Sequence, residues 1–170
     1  MDSVKISENI LGDLIAPDTR WQYFDFTLQN LKQSVDTIEL SANVPEGVRS
    51  QIDICKKLFL YSYFVYEFAT IAMERSFMAI ESALKLKYKI DGEGEIKGTI
   101  TLKRLLDWAV DNQKIEERFP GMKDTIRHLR NSFAHPERQN INTPFDAIWC
   151  FSENVKVINS LFDVSQSSSV

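Results

Sequence analysis

Apolar residues recur at helical spacing along most of the chain. Between residues 18 and 40 the spacing is that of one amphipathic helix, with apolar side chains at Phe24, Leu28, Leu31, Val35 and Ile38. Asp18 or Thr19 could cap this helix, and the stretch "SANVPEG" ends it. The pattern therefore predicts a first long helix over residues 18–40.

The longest uninterrupted pattern runs from Arg49 to Ile90, where the chain contains neither glycine nor proline. Its aromatic part, "LFLYSYFVYEF", would fit a strand by composition, but the Ala-, Glu-, Lys- and Leu-rich continuation favours helix. Some 40 helical residues would extend about 60 Å, more than a small domain spans. We therefore expect one very long central helix that is bent or split. Its aromatic residues occupy nearly every face, which indicates a core helix of a monomer or contact with a second copy.

Three further helices follow from caps and breakers. Thr101 is a predicted cap for "TLKRLLDWAVDNQ", and "MKDTIRHLRNSFAH" is a predicted helix that ends at Pro136. Thr143 is the predicted cap of the last helix, which begins at Pro144, because proline suits the first helical position.

The pattern as a whole predicts an all-α fold, an up-down bundle of four to five helices with one very long central helix. The chain has 170 residues, which fits one domain. We assign residues 1–17 to an N-terminal arm, residues 18–164 to a single helical domain and residues 165–170 to a disordered tail.

Composition narrows the function classes. The net charge is −4, and residues 1–48 carry eight acids but three bases, which argues against broad electrostatic binding of nucleic acid. Cys55 and Cys150 lie in apolar helical patterns, so we expect buried free thiols in a reducing, cytoplasmic setting. No signal peptide or membrane-spanning stretch is recognisable, so we expect no membrane association.

Several kinds of site have no counterpart in the sequence. Phosphate-binding glycine loops, a G-x-S-x-G elbow and zinc-type spacing are all missing, so we expect neither a metal nor a cofactor. Both histidines instead fall with two arginines in "RHLRNSFAHPE", residues 127–137.

Arg130 and His135 carry the chemistry in that stretch. An arginine fork fits phosphate oxygens, and a histidine transfers protons near neutral pH, which is enough for phosphodiester cleavage without a metal. On an ideal helix the two residues would point about 140° apart. Pro136 disfavours α geometry at His135, so the histidine can turn back towards Arg130. A structural interpretation is also open, because arginine and histidine are both ordinary near a helix C-terminus.

"RNSFAHP" resembles the signature of the HEPN family (higher eukaryote and prokaryote nucleotide-binding domain). Arg130, Asn131 and His135 match the R-N-x-x-x-H form of its ribonuclease and toxin members. The surrounding order is similar too, with a long helical region before the motif and one helix after it. Some members have a tyrosine two residues after the histidine, whereas this chain has Glu137.

The resemblance implies a homodimer in which two motif copies form one metal-independent ribonuclease cleft. His135 would be the general acid or base, Arg130 the transition-state clamp and Asn131 a positioning residue, while Arg127 and His128 would bind RNA. The resemblance also implies a toxin or phage-defence setting, with an antitoxin or another regulatory protein as partner.

Glu67, Glu74 and Glu81 are seven residues apart, so they share a helix face. They could form a solvated stripe, or Glu74 could hold the fork of Arg130 in place, with Arg75 as an alternative partner of Glu74. Two other functions stay open. One is a non-catalytic HEPN-like module for dimerisation, nucleotide binding or protein interaction, and the other is an unrelated helical adaptor.

Overall fold

The computed structural model describes Gly12 and residues 15–91, 100–115 and 143–163. Within these ranges the chain forms no strand; it forms a 3-10 helix at Thr19–Phe24 and five α-helices. They are α1 (Leu28–Asp36), α2 (Glu46–Tyr61), α3 (Phe68–Ile90), α4 (Leu102–Asp111) and α5 (Pro144–Phe162). The predicted all-α fold is confirmed.

Helix α3 is the central element of the bundle. It packs mainly against α5 and α2 and more lightly against α4, while α1 packs against α2. Nine of its residues are buried and lie on the arc that faces these neighbours: Ala69, Ala72, Met73, Ser76, Phe77, Ala79, Ile80, Ala83 and Leu84. Four alanines in this set let the neighbouring helices approach α3 closely.

Side-chain contacts fix the directions of the helices. The Ser82 hydroxyl lies 3.4 Å from Gln51 Oε1, so the C-terminal half of α3 lies beside the N-terminal half of α2 and the two helices are antiparallel. Helix α5 starts beside Phe24 and Phe26, which Phe145 contacts edge to face, and its far end meets the loop after α1 through Asn159. Helix α5 is therefore antiparallel to α2 and parallel to α3.

The predicted single helix over residues 18–40 is wrong in its continuity. Asp18 caps only the 3-10 helix, and Asp25 then adopts a left-handed conformation with φ 48°. Thr27 starts α1 anew, because its hydroxyl accepts the Asn30 amide while the Asn30 side chain accepts the Thr27 amide. The chain thus turns between two short helices where apolar spacing alone suggests one.

The long run from residue 49 to residue 90 is split, as the length argument anticipated. Helix α2 ends at Tyr61, and α3 begins at Phe68 after six residues of turn. Two backbone carbonyls of this turn accept hydrogen bonds from the N-terminal segment: Ser62 from the Trp21 indole at 2.8 Å, and Tyr63 from the Asp18 amide at 2.9 Å. Tertiary contacts hold the turn, since no glycine or proline is there to make it.

The described core is mainly apolar, and a buried polar contact joins α3 to α5 inside it. The rings of Phe59 in α2 and Phe151 in α5 lie 5.1 Å apart, centroid to centroid. Asn154 in α5 donates to the Ser76 hydroxyl in α3 at 2.7 Å, and both side chains are buried. Such a satisfied polar pair sets the relative position of two helices in a way that apolar contacts do not.

Both predicted late caps are confirmed. Thr101 accepts the Arg104 amide at the start of α4, and Thr143 accepts the Asp146 amide at the start of α5. Most of the N-terminal arm (1–17), the connector 92–99, the helix predicted over 122–135 and the tail 165–170 lie outside the described residues. The domain boundaries stay predictions.

Candidate functional site

The motif residues Arg127, His128, Arg130, Asn131 and His135 lie in the stretch 116–142, outside the described residues. Their mutual geometry, including the proposed return of His135 towards Arg130, therefore stays a prediction. The structure does describe the residues on either side of the stretch and the surroundings of Glu74.

The described residues that flank the motif stretch are packed against the bundle. On the N-terminal side Ile115 is buried, and the Lys114 ammonium lies 2.9 Å from the Asp91 carboxylate, which ties this point to the end of α3. On the C-terminal side Pro144 is buried and Thr143 caps α5. Both ends of the motif stretch thus leave from packed positions of the bundle.

Glu74 is half-buried on α3, and burial raises the pKa of its carboxyl above the ordinary value. Among the described residues it has no ion-pair partner. Arg75, the alternative partner, is exposed and likewise forms no ion pair within the described part of the chain. Because desolvation penalises an unpaired carboxylate, Glu74 is a site where a cation would be stabilising.

The three glutamates at seven-residue spacing do not form a uniform solvated stripe. Glu67 accepts a hydrogen bond from Arg20 at 2.7 Å, and the Glu81 carboxylate lies 2.7 Å from the Lys85 ammonium. Glu74 has neither kind of contact with another described residue, and burial raises the pKa of its carboxyl, whereas hydrogen bonding by Arg20 lowers the pKa of Glu67. The sequence placed the three on one face but did not distinguish their environments.

A charged cluster that the sequence did not single out surrounds Arg20. Its guanidinium contacts the Asp18 carboxylate at 2.7 and 2.9 Å and also lies over the Tyr66 ring, 4.2 Å from the centroid. The side-chain hydrogen bond from Arg20 lowers the pKa of Asp18 to about 2. Because the fork is occupied by carboxylates, Arg20 fastens the 3-10 helix to the α2–α3 turn and does not offer an anion site.

A second feature, only hinted at by the crowded aromatics, is an apolar surface on the α2–α3 hairpin. The exposed fractions are 41% for Ile54, 59% for Tyr61, 41% for Ile71 and 57% for Met78. We call these four residues the hairpin face. Large apolar side chains gathered on one outer face are typical of an interaction surface.

Neither the thiols nor the possible metal ligands of the described residues indicate a nucleophilic site or a metal site. Cys55 and Cys150 are free and buried, as predicted, and burial raises the pKa of each thiol to about 12. Such thiols stay protonated at neutral pH and are poor nucleophiles. In the described ranges no three His, Cys, Asp or Glu residues come together in a way that could hold a metal ion.

Comparison with known proteins adds no relative to this picture. The chain matches no protein-family model, no curated protein and no solved structure. Among the helices that the structure describes, none has the length and apolar character needed to cross a membrane.

Proposed function

We propose that the protein is a homodimeric, metal-independent endoribonuclease of the HEPN type. The observation that carries the proposal is the Arg130-Asn131-x-x-x-His135 motif, followed by Pro136, in a chain whose described part is an all-α bundle. The order of the described elements also supports it, because a hairpin of two long helices precedes the motif and α5 is the next described helix after it.

The proposed chemistry uses the RNA's own nucleophile. His135 takes the proton of a ribose 2′-hydroxyl, whose oxygen attacks the adjacent phosphorus while the bond from phosphorus to the 5′-oxygen breaks. The products are a 2′,3′-cyclic phosphate and a 5′-hydroxyl, which receives a proton from a general acid. Arg130 stabilises the negative charge that builds on the phosphoryl oxygens, Asn131 positions the substrate or Arg130, and Arg127 and His128 bind the RNA backbone.

Two copies are needed because one motif supplies a single arginine and a single histidine. A dimer would place four arginines and four histidines of residues 127–135 in one groove, a local positive region on a chain of net charge −4. Glu74, which has no ion-pair partner in the part of the chain that the structure describes, is consistent with a supporting role in which its carboxylate orients Arg130. The biological setting that fits is a toxin or phage-defence system in which a regulatory protein restrains the nuclease.

The test is cleavage of end-labelled RNA in EDTA by the parent and by His135→Ala. Loss of a general acid or base typically lowers the rate about 10²- to 10⁴-fold, so His135→Ala should be nearly inactive. Arg130→Ala should be comparably impaired, whereas His128→Ala, a matched histidine change, should keep the cyclic-phosphate product and lose mainly RNA affinity. Equal cleavage by the parent and His135→Ala would mean that the activity belongs to a contaminant.

A second candidate function is a non-catalytic helical module that dimerises or binds a protein partner. The exposed hairpin face favours it, because such a surface is useful without any catalytic residue. This candidate predicts self-association or partner binding with no RNA cleavage by the parent, and no effect of His135→Ala on either.

A further inference from the structure

The outward arc of α3 carries two exposed apolar side chains, Ile71 and Met78, one heptad apart. At 100° per residue they differ by about 20° around the helix axis, so they form one line along it. Helix α3 packs against α2, α4 and α5 through its buried arc, and this line lies on the side of the helix that these neighbours leave exposed.

Helix α2 widens this line into a surface. The contact between Gln51 and Ser82 sets the register of the antiparallel pair. Counting from it, Ile54 is level with Met78, and Tyr61 is level with Ile71, each within about one residue, a rise of 1.5 Å. The hairpin face therefore consists of two apolar pairs, Ile54 with Met78 and Tyr61 with Ile71, which lie about two helical turns apart along the hairpin.

Opposite charges flank the line of Ile71 and Met78 on its two sides. Glu74 and Arg75 lie halfway between the two apolar residues, and each is rotated about 50° from the line, in opposite directions. Neither side chain has an ion-pair partner among the described residues, and Glu74 is half-buried. An acid and a base that no other described residue compensates thus lie at nearly the same height on one face.

We propose that a second copy of the chain packs on the hairpin face, with its α3 parallel to the first and the two-fold axis running along the helices. This symmetry sets Ile71 and Met78 against their counterparts and places Glu74 opposite the partner's Arg75, twice. An antiparallel pair would instead place Glu74 opposite the partner's Glu74 and Arg75 opposite the partner's Arg75. Parallel helix pairs use flanking charges in the same way to choose their orientation.

Charge complementarity is what identifies the occupant as another copy. The face carries both members of the ion pair, so two identical faces satisfy each other. The inference rests on the homodimer of the proposed function and assigns the surface that forms it. A carboxylate has several acceptor sites, so Glu74 can serve the partner's Arg75 and Arg130 together.

The experiment is a measurement of mass by light scattering or sedimentation across a concentration series, without RNA. The parent should reach twice its monomer mass of 19.6 kDa. Glu74→Arg and Arg75→Glu should each raise the dimer dissociation constant at least about tenfold, because each sets like charges against each other. The double variant Glu74→Arg/Arg75→Glu should recover the parent's value, and so should a one-to-one mixture of the two single variants.

An apolar variant and its control complete the set. Met78→Lys should dissociate the dimer, whereas Tyr23→Lys, an equally drastic change at a side chain that is 86% exposed on the 3-10 helix, should not. Far-ultraviolet circular dichroism checks that each variant is folded, and a variant that folds only in the mixture still reports the pairing.

Three results would overturn the inference: a monomeric parent, single charge variants that associate like the parent, or a mixture that associates more tightly than the parent, which indicates antiparallel helices. The proposed ribonuclease is judged separately. If the dimer weakens with the charge changes but the parent does not cleave RNA, the interface is supported and the nuclease is contradicted. If the parent cleaves RNA but its dimer is unaffected by the charge changes, the nuclease is supported and the interface is contradicted.

Discussion

At the scale of single residues, charged groups in this chain differ according to whether a partner is within reach. The Arg20 guanidinium forms ion pairs with Asp18 and Glu67 and stacks over the Tyr66 ring. Glu74, two turns along α3 from Glu67, has no such cation among the described residues, and burial raises its pKa. The same residue type on one helix face is thus stabilised as an anion at one position and penalised at the other.

The Asp18–Arg20 contact predicts a pH dependence of stability. Hydrogen bonding by Arg20 lowers the pKa of Asp18 from 3.8 to about 2, so the folded state binds that proton more weakly than the unfolded state does. The contribution is present above about pH 4 and is lost as the pH falls towards 2. Urea unfolding at several pH values should show the parent's advantage over Asp18→Asn shrinking across this window.

Arg20→Gln is the matching control, because it removes the cause of the shift and leaves the acid in place. It should abolish the same part of the pH dependence. If the parent and Asp18→Asn differ by a constant free energy of unfolding from pH 6 to pH 2, the proposed cause is wrong.

At the scale of secondary-structure elements, the starts of α1, α4 and α5 are encoded locally, whereas the end of α2 is not. Thr27, Thr101 and Thr143 each cap the helix that follows through the side-chain hydroxyl. The end of α2 has no such signal. The chain turns at Ser62 because the Trp21 indole and the Asp18 amide occupy carbonyls of the turn.

The capping box of α5 gives a prediction at this scale. Thr143→Ala removes the acceptor for the Asp146 amide, so the free energy of unfolding should fall by about 1 kcal/mol. Thr143→Ser keeps a hydroxyl at the same place and should cost a few tenths of that. Chemical denaturation of the three proteins checks this, and equal loss in both variants would show that the methyl group, not the cap, matters.

At the scale of the whole molecule, α5 joins parts of the chain that are far apart in sequence. Asn154 reaches Ser76 in α3, and Asn159 binds the backbone of the loop between α1 and α2 at two points. The Asn159 oxygen accepts the Ser41 amide at 2.8 Å, and its nitrogen donates to the Glu39 carbonyl at 3.0 Å. One amide side chain thus fastens this loop to the last described helix.

This contact predicts a local change in hydrogen exchange. In Asn159→Ala the Ser41 amide loses its acceptor, so its exchange should speed up at least about tenfold, and the loop should loosen with it. Asn159→Asp keeps an acceptor for the Ser41 amide and should keep most of its protection while it loses the bond to Glu39. Unchanged exchange at Ser41 in Asn159→Ala would show that the loop is held by other contacts, such as those of Arg49 with the loop carbonyls.

The dimer and ribonuclease predictions belong to this scale as well. The sequence contains the residues on which both predictions depend. Cleavage depends on Arg130 and His135, and association depends on Ile71, Glu74, Arg75 and Met78. The sequence alone could not identify the hairpin face, because Ile71 and Met78 have the same apolar character as Met73 and Ile80, which are buried. Which of these faces outwards depends on where the other helices pack.

What the sequence determined by itself is the helical class, the caps at Thr101 and Thr143, the burial of both cysteines and the identity of the motif residues. These depend on spacing, local hydrogen bonding and side-chain chemistry, which are properties of short segments. Tertiary structure alone decided the turn at residues 62–67, the contrast between the paired Glu67 and the half-buried Glu74, and the face of α3 that the other described helices leave exposed. Each of these depends on contacts between residues distant in sequence, and a helical pattern carries no record of which neighbour will satisfy a given carbonyl or charge.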